Sequence, residues 1–210
     1  MNELENKGEN ISNAVLVLEK TYKNIYRLME KMDEFADEMG YILITKDDFL
    51  RYRSDRKPAF FYIRDFVKLY QENRNESSKL NPEIDNSFVN EPILGVQIHL
   101  KGEMGKETSQ TYPVIRIAKY LYDYEGSELK NKEPADISQS FHKYFRRPFQ
   151  KKRFNIEKKE NYWVSTPEKE SYSKKYGQIQ KMIFKEIPLV DIKNEDDIRE
   201  KIFGGLEKLP

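Results

Sequence analysis

The chain has 210 residues, of which 38% are hydrophobic, 35% charged and 13% aromatic, with a formal net charge of +1 and no cysteine. That length is most simply one domain and is enough to bury a core, with the aromatic rings offsetting a shortage of aliphatic side chains. The composition excludes disulfides and thiolate metal sites, and no run approaches the roughly 18 apolar residues of a membrane helix, so a soluble, cytoplasmic protein is expected.

Residues 1–10 read as a flexible polar lead-in, and 11–210 as a single α+β domain. The first strong pattern is Ile11, Val15, Leu18, Tyr22, Ile25, Met29, Met32, Ala36 and Met39. Steps alternating four and three place these side chains on one stripe of a helix, and Gly40 follows as a helix-ending residue. A helix over 11–39 is roughly 43 Å long, more than the core of a small domain spans. The stripe has two readings: packing against the chain's own body, or a seam for a second copy or a protein partner. Val15, Leu18, Tyr22, Ile25, Met29 and Met32 are the candidate interaction face, although methionine and tyrosine are poor zipper residues.

Tyr41–Thr45 reads as a buried strand, followed by a charged connector to Pro58. Residues 59–70 fit a helical and a strand template about equally, and both stay open. The polar stretch 71–91 reads as a surface loop. In 92–101, Leu94, Val96, Ile98 and Leu100 alternate with Gly95, Gln97, His99 and Lys101, and 112–124 forms the second strand of an antiparallel hairpin. A helix is expected over 134–147, ended by Pro148, and strands around 162–164 and 178–190, with Pro188 at an edge or bulge. Asn194 caps a last helix carrying Ile198, Ile202 and Phe203, which Gly204-Gly205 interrupts. The pieces assemble as α+β: a mostly antiparallel sheet of four to six strands, packed against the long N-terminal helix, with two shorter helices.

Chemical motifs are mostly missing. His99 and His142 lie far apart with no second ligand at metal-binding spacing, and Gly102-Glu-Met-Gly105 lacks the pattern of a phosphate loop. No cofactor is implied and no catalytic residue can be named. A metal-dependent nuclease places an acid two residues before a lysine on a central strand. Here Gln97 and His99 hold those places, with Asp47, Asp48 and Asp65 as spare carboxylates, and a neutral Gln is a poor ligand for a hard dication. The positive signal is Phe141–Phe154, where Lys143, Arg146, Arg147, Lys151, Lys152 and Arg153 are interleaved with five rings and no acid. The other 31 basic residues face 36 acids, so this is one basic island in a mildly acidic chain. Such an island suits phosphates and unpaired bases; it equally suits a helix with buried rings and a wet cationic face. Tyr120, Tyr122 and Tyr124 share a strand face and offer a second stacking platform, or sheet packing. The reading that follows is a non-enzymatic binding protein using the 11–39 helix, with nucleic-acid binding through 141–154 as the alternative and a carboxylate-based nuclease third.

Overall fold

The computed structural model describes residues 3–45, 49–52, 65–72, 90–100, 112–132 and 140–210. Helix α1 runs Glu3–Glu38, eight residues ahead of the apolar stripe, and is roughly 54 Å long. It stops where the sequence places the stop: Gly40 adopts φ +78°, and its N–H donates to the Asp37 carbonyl at 3.0 Å.

Among the described residues eight strands form one antiparallel sheet: β1 (Tyr41–Leu43), β2 (Leu50–Tyr52), β3 (Asp65–Glu72), β4 (Ile93–His99), β5 (Val114–Tyr122), β6 (Phe154–Lys158), β7 (Trp163–Pro167) and β8 (Ile179–Pro188). The order is β1-β3-β4-β5-β8-β7-β6, with β2 pairing to β3 beside β1. The architecture is the expected α+β, with eight strands in place of four to six. The additions are β2, only three residues long, and β6, whose Phe-Asn-Ile-Glu-Lys is too polar to stand out among its charged neighbours. Residues 65–72 are strand; 59–64 and the Asp47-Asp48 pair lie outside the described residues. The stretch read as a loop from 71 opens inside β3, because Gln71 and Glu72 pair with Ile42 and Tyr41. The expected hairpin partners do pair, Ile93 opposite Tyr120 through His99 opposite Val114, and Pro188 ends β8 opposite Val114.

Both faces of the sheet are covered. On one, Phe66, Tyr70, Val96, Ile98, Ile115, Ile117 and Ile183 pack against Ile25, Met29, Met32, Phe35 and Ala36 of α1, and against Ile198, Ile202, Phe203 and Leu206 near the C-terminus. Lys68, which points to the same side, is buried in an ion pair with Asp33 of α1, and the Tyr70 hydroxyl donates to the same carboxylate at 2.9 Å. On the other face, Val67, Leu69, Ala118, Tyr120 and Met182 pack against Phe141, Tyr144 and Phe145. That second layer is a short helical run, His142–Arg146 then Arg147–Phe149; residues 134–139 of the expected helix lie outside the described residues. The glycine pair near the C-terminus does not break the helix. Gly204–Glu207 is helical, and a Cβ on Gly205 would stand 2.6 Å from the Ile117 side chain, so the missing side chain lets the helix lie close on the sheet.

Candidate functional site

Two places in this architecture carry unusual chemistry: a polar row sealed beneath the 142–149 layer, and the end of α1 that leaves the body. The row follows from strand register. Asp65 stands opposite His99, Gln97 opposite Arg116, and Arg116 opposite Glu186, so four strands present polar side chains side by side on one face. All but Glu186 are buried, and Arg146 joins them from the covering layer.

One carboxylate organises the row. Asp65 Oδ1 accepts from Gln97 Nε2 at 2.8 Å and from His99 Nδ1, while Arg146 Nε stands 3.3 Å from Oδ2. Arg116 Nε donates to Glu186 Oε1 at 2.6 Å and its guanidinium lies over the Phe149 ring. Burial alone would raise the Asp65 pKa, but the His99 hydrogen bond and charge, with Arg146 and Arg116, outweigh it and hold the carboxyl below its usual value. The acid is therefore ionised; a neutral His99 that donates from Nδ1 keeps a lone pair on Nε2, whereas the imidazolium carries a proton on both nitrogens. Among the described residues, Asp65 Oδ2, Gln97 Oε1 and His99 Nε2 are buried without a hydrogen-bond partner. A lone pair on His99 Nε2, backed by an ionised carboxylate, can take a proton from a hydroxyl or water. A dication would have to sit beside the Arg146 guanidinium. Among the described residues no group of three His, Cys, Asp or Glu side chains is placed to hold a metal.

The basic island is distributed between core and surface. Arg146 turns inward to Asp65. Lys143 lies between the Tyr144 hydroxyl at 3.1 Å and Glu128 at 3.7 Å; its burial, which lowers the pKa, is outweighed by both partners, which raise it. Arg147 donates to Gln150 at 2.7 Å, and Arg153 to the Tyr176 hydroxyl. Lys151 and Lys152 are exposed. Of the five rings, Phe141, Tyr144, Phe145 and Phe154 are buried, and Phe149 packs on Phe184 at 5.0 Å. The strand tyrosines are likewise occupied: Tyr120 and Tyr122 donate their hydroxyls to the carbonyls of Phe145 and Tyr144, tying the sheet to the covering layer.

Helix α1 divides its candidate face in two. Ile25, Met29 and Met32 are core, at 3%, 2% and 0% exposure, and Tyr22 sits at the margin with its ring edge-on to Phe66. Val15 and Leu18 are bare at 59% and 43%, as are Ile11 at 67% and Val17 at 65%, with Leu16 about half exposed. The stripe continues without a break across the boundary; only its cover stops.

Comparison with protein-family models, curated proteins and solved structures finds no match to this chain. No helix among the described residues is long and apolar enough to cross a membrane.

The polar row escaped sequence reading because the alternation in β4 suggests one wet face, placing His99 in solvent. The contrary signal is in β5, where Ile115 and Ile117 lie on one side and Val114, Ala118 and Tyr120 on the other. A strand apolar on both sides belongs to a sheet with no wet face.

Proposed function

We propose that this chain is an interaction protein that assembles through the bare N-terminal half of α1. The observation that carries the reading is the stripe itself: Ile11, Val15 and Leu18 lie in line with residues buried two turns later, yet nothing in the described fold covers them. Contiguous apolar surface of this kind marks a contact site, and a helix segment without tertiary packing has little stability of its own. Leu16 and Val17 strengthen the reading. They sit roughly 130° to either side of the stripe, so the run Ala14–Leu18 is apolar around most of its circumference, a pattern typical of a helix enclosed by others.

The chain in solution should show a mass above the 25.2 kDa of one copy and slow hydrogen exchange at the amides of 11–20. The double variant Val15→Asp/Leu18→Asp should bring the mass to one copy and speed that exchange, with the melting of the body unchanged. Identical mass and identical fast exchange in both proteins would count against the arm as a binding surface.

A second reading rests on the acceptors around Asp65 that lack a hydrogen bond among the described residues, His99 Nε2 foremost: a proton-accepting site for a hydroxyl or water. Its test is histidine nitrogen resonances in the labelled chain at neutral pH. An unprotonated Nε2 at His99 agrees with it, and a protonated Nε2 removes the base.

A further inference from the structure

The arm has a direction written in its charges. Residues 3–10 carry Glu3, Glu5 and Glu9 against a single Lys7, whereas residues 19–27 carry Lys20, Lys23 and Arg27 against a single Glu19. The bare apolar segment lies between an acidic block and a basic one, all on one helix. Deepening the reading of the arm as an assembly surface, and resting on it, we propose that its partner is the same arm of a second copy, packed antiparallel.

Three physical arguments select this arrangement. Parallel pairing sets acid beside acid and base beside base, whereas antiparallel pairing sets the net −2 stretch 3–10 of each copy against residues 23–30 of the other, where Lys23 and Arg27 outnumber Glu30. It also places each helix N-terminus beside the C-terminal direction of its neighbour, which the helix dipoles favour. Finally, the apolar positions match themselves under reversal. With a two-fold axis between Leu16 and Val17, Ile11 faces Tyr22 of the other copy and Val15 faces its Leu18, so every seam position meets another seam position. Leu16 and Val17 point away from this seam, and back-to-back packing of two such pairs covers them.

The lack of cysteine makes orientation directly readable. Val15→Cys and Leu18→Cys chains are prepared separately, mixed reduced so that copies exchange, oxidised gently, and weighed by mass spectrometry, with light scattering in parallel. The substituted positions are exposed, so both variants should melt like the parent chain. The expected result is a mass of two or four copies and a disulfide joining Val15→Cys to Leu18→Cys chains at least fivefold over either like pair. Cysteines whose Cα atoms lie beyond about 7 Å cannot bridge without backbone movement, so the products report which positions face each other. Like-with-like disulfides in an assembled protein would overturn the antiparallel pairing while leaving the arm as the assembly surface. An assembled protein without either disulfide would also overturn this pairing. A mass of one copy at every concentration would remove both the pairing and the assembly reading.

Discussion

The two halves of α1 obey one sequence rule and meet different fates. From Tyr22 to Met39 the stripe is enclosed by the sheet and the C-terminal helical segment; from Ile11 to Leu18 the same spacing runs on past the edge of the body. Periodicity therefore reports which side of a helix seeks cover, and says nothing about which molecule supplies it. The tiebreakers are composition and neighbours. The covered half is rich in methionine and aromatic side chains that fit an irregular sheet surface, whereas the bare half holds the run Val-Leu-Val-Leu.

Single changes should separate the halves cleanly. The largest effect is expected for Ile25→Asp, which puts a carboxylate into a core position without a partner; a loss of roughly 4 kcal/mol or more should leave the chain unfolded in a thermal melt. Survival of a cooperative melt in that variant would show that the inner half is not core. Next comes Asp65→Ala on the opposite side of the sheet, where removing the acid strands His99, Gln97 and Arg146; about 3–5 kcal/mol is expected from denaturant titration. The inner half of α1 should loosen with it, while the arm's exposure stays as it was.

Asp65 also sharpens the contrast through pH. Its folded pKa lies below the unfolded value of about 3.9, so its contribution is fully present above that value and fades as pH falls through the folded pKa. Denaturant midpoints should therefore drop below about pH 4 in the parent chain, with a shallower drop in Asp65→Asn. An equally steep acid limb in both would place the loss at other carboxylates. The smallest effect on the body is expected for Leu18→Asp alone, within about 0.5 kcal/mol, measured in dilute protein. A large loss there would mean that the arm packs on its own body.

The fold was legible to the extent that burial and alternation coincide. The Gly40 stop, the β4–β5 pairing and the Asn194 cap, whose side chain accepts from the Asp197 N–H at 2.9 Å, follow from local chemistry that no later contact overrides. The basic island was half legible. Its rings turn inward as a helical spacing implies, but that Arg146 would meet an acid 81 positions earlier depends on β3 and the covering layer coming together. The polar row was hidden for the same reason: His99 and Gln97 take their meaning from Asp65, a neighbour through register and remote in the chain. The bare arm was visible only as half of an alternative, since the edge of the body is a property of the folded sheet.

The pairing at the middle of the sheet has a consequence for how the protein is made. β5 ends at Tyr122, and its neighbour β8 begins at Ile179, so the central seam closes only after most of the chain has left the ribosome. Until then β3, β4 and β5 hold an unsatisfied inner edge, and Ile198, Ile202 and Phe203, which finish the cover over α1, do not yet exist. Loop closure over such distances is slow. The α1 arm lies ahead of all these strands in the chain, so under the proposed pairing it can meet another nascent copy before its own body is complete.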